Sequence, residues 1–464
     1  MSASTAAERT RRSTAHASLA ILGATLQQLD LFGPIREGVR VPQKTVRHSP
    51  GDKLYDAFIA LLAGAQGLVE LNRRLRADPA LQAAFGRTAC AEQSVVQDTL
   101  DACTAENVAQ MAQALGRIYR AQGRGYAHDY DRDWQILDVD MSGLPCGKKA
   151  ALATTGYFAK QRRRRGRQLG RVLAALYQEV VVDRLFAGNV QLRAALQPLV
   201  LAAEQVLELD EARRQRTILR IDAGAGGVAD SNWVLQRGYQ VVAKDCSTAR
   251  ARRLAESVAT WFADPRQTDR QVGLVVTPAP EYDTVPSQRA ITRVAVRCRQ
   301  ASGDWGVGVV ISTLPVAAAL QLSGLDPASA TDSAAVALAY AYLYDLRSGG
   351  VETAFKGDKQ GLGLTKRNKK RFEAQQMLVA LTQLAHNVLI WARRWLAAHA
   401  PRLRAFGIKR LVRDVFGVHG TVESGGGRVL AVALNPVDPL ATYLLAALRA
   451  MAAATTVQIR LDET

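Results

Sequence analysis

Near the middle of the stretch YDLRSGGVETAFKGDKQGLGL, Tyr344 to Leu364, stands Glu352, followed by Phe355, Lys356 and Lys359. At helical spacing Glu352, Phe355 or Lys356, and Lys359 fall on one face. The ordinary meaning of such a pattern is a solvated helix surface. Here a basic run follows, Lys366-Arg367-Asn368-Lys369-Lys370-Arg371, and then a long apolar helix from Phe372 to Trp395. An acid in so basic a neighbourhood fits a site shared by a metal ion and a phosphate backbone.

The bulk numbers point the same way. The chain has 464 residues, a net charge of +18 and a pI near 10. Its length suggests two to four domains at about 150 residues each. Such a charge attracts polyanions: DNA, RNA or an anionic membrane surface. No stretch is long and apolar enough to span a bilayer. Leu19, Leu22, Leu26 and Leu29 fit an amphipathic helix rather than a signal peptide. The five cysteines are scattered without metal-ligand spacing, which argues against zinc and fits a reducing cytoplasm.

Outward from Glu352, the chain reads as a series of segments. Residues 1–128 are expected to be a helical N-terminal DNA-binding domain, with helical periodicity over Lys53 to Leu75 and with Phe85 to Leu100 compatible with a helix-turn-helix or a plain bundle. Residues 129–265 alternate strands and helices as an α/β core does, with a strand expected over Ala150 to Phe158 and one long strand from Val172 to Phe186. Residues 266–325 are expected to be an all-β insertion. Residues 326–400 return to the core with Glu352, and 401–464 form an α/β tail.

Three acids stand out by position. Asp140 ends the strand Trp134–Asp140, Asp222 ends Thr217–Asp222 before a glycine turn, and Glu352 lies on a late helix. Acids at strand ends of an α/β sheet point into the ligand crevice, although many only cap the next helix. Converging carboxylates suit Mg²⁺. Asp138 faces the same side as Asp140 and is the alternative ligand; Asp140 is preferred for its place at the strand end. Asp245 is read as a helix cap.

LDVDMSG around Asp140, FAGN ending at Asn189, LRIDAGAG around Asp222, the Tyr344–Leu364 stretch and the Glu373–Trp395 helix follow one another in a specific order. Together they resemble the DDE transposases of bacterial insertion sequences, of the insertion-sequence-4 type, over about residues 130 to 435. The resemblance implies an RNase H-like mixed sheet core with the β-rich insertion before the last acid. It implies binding of terminal inverted repeats, and DNA strand cleavage and strand transfer dependent on two Mg²⁺ ions, with Mn²⁺ as a substitute. Asp140, Asp222 and Glu352 would be the catalytic metal ligands. Tyr344, Arg347, Lys356 and Lys359 would contact DNA. The basic stretches Arg163-Arg164-Arg165 and Lys366-Arg367 would add phosphate contacts. Trp305 would hold a flipped base or else belong to the core. The partners implied are double-stranded DNA, at element ends and target, and a second copy of the chain. The location implied is a bacterial cytoplasm, at the nucleoid.

The family signature places three residues between its arginine and its glutamate. Here four stand between Arg347 and Glu352. On an unbroken helix the extra residue rotates the pair by about 100°. Gly349-Gly350 is expected to break the helix and absorb this, with the helix resuming near Val351. Two other readings compete. Asp222-Ala-Gly-Ala-Gly-Gly227 also resembles the cofactor turn of nucleic-acid methyltransferases, with Lys244-Asp245 toward a ribose. A catalytically inactive, transposase-derived DNA-binding protein is the other.

Overall fold

The computed structural model describes residues 9–44, 47–156, 158, 163–282, 290–366 and 368–462. By contacts the chain divides into two units, a coarser division than the five expected segments. One comprises Met1–Gly123, Leu144–Ala153 and Ala354–Thr464; the other comprises Arg124–Gly143 and Thr154–Thr353.

The first unit is built round the helix Phe372–Ala397, whose residues from Ala374 to Ala392 are all buried. The helix Ala17–Gln28 is also interior: nine of its residues, Ala17 to Gly23 with Thr25 and Leu26, are buried, so it is a core helix where an amphipathic one was expected. The helix expected over Lys53 to Leu75 is interrupted, running Pro50–Leu62 and resuming at Val69. A four-stranded sheet joins the two ends of the chain. Thr10–Thr14 pairs with Gly420–Gly425, which pairs with Arg428–Leu434, which runs parallel to Gln458–Leu461.

The second unit is a ten-stranded sheet. Its order runs Thr154–Thr155, Arg165–Ala174, Gln135–Pro145, Thr217–Ile221, Gln240–Lys244, Trp305–Ser312, Thr292–Arg299, Gln267–Leu274 and Phe262–Asp264, with Glu179–Ala187 paired to Arg165–Ala174. Gln135–Pro145, Thr217–Ile221 and Gln240–Lys244 are mutually parallel neighbours. Gln135–Val139 and Thr217–Ile221 are buried throughout, as strands covered on both faces must be. Ile136, Ile218, Val242 and Val310 of the sheet pack with Leu320, Val336, Tyr340 and Leu343 of the two helices that follow it.

Three sequence expectations change here. The long strand Val172 to Phe186 is a hairpin, Arg165–Ala174 and Glu179–Ala187, turning through Gln178 at φ 57°. The β-rich segment is a continuation of the same sheet: Trp305–Ser312 pairs antiparallel with Gln240–Lys244. Ala150 to Phe158, expected as a strand, contributes only Thr154–Thr155.

Candidate active site

Gln135–Pro145 and Thr217–Ile221 are in parallel register, Asp138 beside Arg220 and Val139 beside Ile221. One step further, Asp140 and Asp222 occupy matching positions at the carboxyl end of the paired ladder. Side chains repeat every second residue along a strand. The face that carries Asp140 and Asp222 therefore carries Asp138 and Arg220 one layer deeper.

Asp138 is fully buried and bound by both arms of Arg220, Nε to Oδ1 at 2.6 Å and Nη2 to Oδ2 at 3.0 Å. Burial pushes its carboxyl up while the guanidinium pulls it down. Asp138 is thereby engaged inside the sheet, and Asp140 is the acid at the rim. Asp140 Oδ1 accepts the Met141 N–H at 2.7 Å. Its carboxyl is raised to about 6 by burial, against the pull of Arg347 and with the added repulsion of Asp222. Asp222 accepts the Gly224 N–H at 2.7 Å and so caps the short turn Ala223–Ala225.

Helix Ser333–Arg347 does not break at the glycine pair. Ser348–Glu352 forms one π-helical turn, and the α-helix resumes at Thr353. Arg347, Ser348 and Thr353 keep helical φ/ψ angles, so the expected kink is corrected to a widened turn. A π turn bonds i to i+5, so it accommodates one extra residue within a single turn. The result brings Arg347 to the site. Its Nη1 lies 3.0 Å from Asp140 Oδ2, and its Nη2 donates to Glu352 Oε1 at 2.8 Å. Glu352 is half exposed, whereas Arg347 is buried. Burial opposes the charge on Arg347, but Asp140, Tyr344, Asp222 and Glu352 together outweigh it and strengthen its hold on the proton. The Arg347 guanidinium carbon lies 5.8 Å from the centre of the Tyr344 ring, whose hydroxyl burial shifts upward.

The sequence-predicted residues therefore separate into groups. Asp140, Asp222, Tyr344, Arg347 and Glu352 interact within one unit. Lys356 and Lys359, on Thr353–Gly361, and Lys366 belong to the other unit; Lys356 and Lys366 are exposed. Arg163, Arg164 and Arg165 are exposed, with Arg163 in a turn at φ 60°. Arg162 and Arg367 lie outside the described residues. Lys369, in the basic run, is buried and donates to Gln97. Trp305 is half-buried rather than a core side chain. Arg297 lies over it at 4.6 Å and over Trp261 at 4.1 Å, and Arg299 lies over it at 4.9 Å. Asp245 accepts the Ser247 N–H and both arms of Arg250, so it serves the helix that Ser247 caps.

Sequence reasoning missed Arg220. A signal was present: an arginine within the buried run Thr217-Ile-Leu-Arg-Ile needs an interior acid, and LDVD supplies one. Gly226 has a packing reason of its own, since a Cβ there would lie 1.7 Å from the Lys244 carbonyl oxygen.

A family model described as transposase DDE domain, group 1, matches residues 5–456. The chain belongs to that family. As a transposase of this group it is a DNA-cleaving and strand-transferring enzyme by family, which overturns the methyltransferase reading of the glycine turn. No curated protein matches the chain. Among solved structures, the cryo-EM structure of the piggyBac transposase synaptic complex with hairpin DNA is similar at 13% identity and a TM-score of 0.40, over 95% of this chain and 84% of that one. No described helix of this transposase is long and apolar enough to cross a membrane.

Proposed function

We propose that this transposase acts on the ends of a bacterial mobile element of the insertion-sequence-4 type, cutting and joining DNA strands at Asp140, Asp222 and Glu352. The observation that carries the reading is the meeting of Asp140 and Glu352 on the single guanidinium of Arg347, next to Asp222. The core order supports the RNase H-like reading: counted along the chain, the five main strands lie 3-2-1-4-5, with Asp140 and Asp222 just past the paired stretch of two neighbouring strands, Asp140 in mid-strand where a strand end was expected. The inactive-copy reading rested on the extra residue before Glu352, and the π turn weakens it.

The donors are carboxylate oxygens, which suit Mg²⁺ or Mn²⁺. Asp140, buried and repelled by Asp222, sits where added positive charge is favourable. Among the described residues no three acids, histidines or cysteines are gathered closely enough to hold a metal ion. The donor chemistry suits a divalent cation, but in the present arrangement Arg347 pairs with Asp140 and Glu352 in place of one. A bound cation pair supplies activation of the attacking oxygen and neutralisation of the leaving one. The chain's own contribution is placement. Arg347 sets the two outer acids and offers a guanidinium suited to a phosphate. The half-buried Tyr344 ring lies 5.8 Å from that guanidinium. The exposed arginines 163–165 and Lys356 and Lys366 supply sequence-independent phosphate contacts. Two DNA ends held together require at least a dimer.

The test uses the full chain and a supercoiled plasmid carrying its gene with the natural flanking DNA. Asp222→Asn should lower Mg²⁺-dependent nicking by on the order of 10³, the several kcal/mol that a metal clamp contributes. Binding to the flanking DNA should stay within about twofold. Undiminished nicking would refute the assignment.

A further inference from the structure

The wide turn at Ser348–Glu352 needs something to hold it. Five residues of ordinary α-helix would leave Glu352 about 140° round the axis from Arg347. The π turn instead puts the two side chains in hydrogen-bond contact. Such turns are frequent at functional sites; the described residues hold two others, Asn72–Arg76 and Leu411–Val415, so its contacts rather than its rarity single this one out.

The surroundings of this turn show what grips it. Arg220 Nη1 donates to the Leu343 carbonyl at 3.0 Å, on the last α-turn before the widening. On the inner side of the turn, the Gly350–Val351 backbone packs directly against the Asp138 carboxylate. A Cβ on Gly350 would lie 2.3 Å from Asp138 Oδ2, so only glycine lets the turn approach this closely. The two sides of the turn are thus held by the two partners of one buried ion pair. A buried ion pair is a poor source of stability compared with apolar packing, and its best-attested use is to fix register.

We propose that Asp138 and Arg220 form a clasp that fixes the register of the π turn and thereby sets Arg347 and Glu352 against Asp140. Both are positioning residues. They act one layer beneath Asp140 and Asp222, on the same strand face. The clasp itself follows from the contacts; its effect on strand cleavage rests on the transposase reading.

Two measurements keep these apart. The first is amide hydrogen exchange over residues 344–356, which needs no DNA and no metal. Arg220→Lys and Asp138→Asn should each speed exchange there by about tenfold or more, with the rest of the sheet unchanged. Unchanged exchange in both variants would overturn the clasp. The second is nicking of the plasmid with its natural flanks, at saturating DNA, with Asp222→Asn as control. Arg220→Lys should bind DNA within about twofold of the parent but nick about 10² more slowly, the cost of a misplacement near 1 Å.

Deleting Gly349 in the Arg220→Lys background shortens the Arg347–Glu352 spacing to that of an α-turn. It should restore most of the lost rate, which a merely structural role would not allow. If exchange speeds up while nicking stays at the parental rate, or the deletion restores nothing, the positioning role fails. If Asp222→Asn nicks as well as the parent, the transposase assignment of the site fails, and exchange still judges the clasp.

Discussion

Arg347 is the residue on which the site turns. It is buried against Asp140 and reaches Glu352, so one positive charge serves two acids while a third, Asp222, adds repulsion. The consequence for stability has a definite sign. The Asp140 carboxyl is raised from 3.8 to about 6, so the folded chain binds its proton more tightly than the unfolded one. Its contribution is fully present below about pH 4 and is lost as pH rises through 6. An uncharged side chain escapes that loss. Asp140→Asn is expected to raise the free energy of unfolding by about 1–3 kcal/mol at pH 8. The gain should vanish near pH 4, as urea titrations at the two values would read. A net loss at pH 8 would mean that the Asp140–Arg347 pair outweighs the penalty of burying the acid.

At the scale of elements, the two adjacent glycines of the wide turn have opposite roles. A Cβ on Gly349 meets nothing within 4 Å, and one on Gly350 meets Asp138. Gly349→Ala should be neutral or stabilise by up to about 1 kcal/mol, the ordinary gain from replacing a helical glycine. Gly350→Ala should cost about 1–3 kcal/mol, the range for overpacking a tight interior. Thermal unfolding of the two variants side by side reads this difference.

The sequence marked this segment as helical and marked the glycines as the place where one residue too many is absorbed. It did not show how, because a π turn and a break both use glycine, and the deciding partner, Asp138, lies more than 200 residues away. The same limit explains the hairpin read as one strand. Its turn, Ala175-Leu-Tyr-Gln178, has no glycine, proline or asparagine, and Gln178 takes the positive φ. Asp140 and Asp222 were legible because they end apolar runs. Arg220 was not, since a lone charge in such a run names its need for a partner but not which one. Trp305 was misjudged as a core candidate because the arginines over it come from the neighbouring strand.

Across the whole molecule the net charge of +18 implies strongly salt-dependent binding. If six to ten phosphates are contacted, affinity for the flanking duplex should fall by about 10³–10⁵ between 50 and 200 mM salt. Anisotropy titrations across that range measure it, and a flat dependence would be incompatible with a phosphate-based interface.

The division of the chain carries a consequence for its synthesis. The path passes from one unit to the other four times, between residues 123 and 124, 143 and 144, 153 and 154, and 353 and 354. A ribosome delivers the N-terminal helices first, yet the long helix they pack around, Phe372–Ala397, and the strand Gly420–Gly425 that pairs with Thr10–Thr14 emerge last. The sheet carrying Asp140 and Asp222, with the helix that leads to Glu352, can therefore close while the other unit is still waiting for its centre. A chain that stops before Phe372 would then carry the second unit's sheet joined to helices without their centre, a product bound for aggregation or proteolysis.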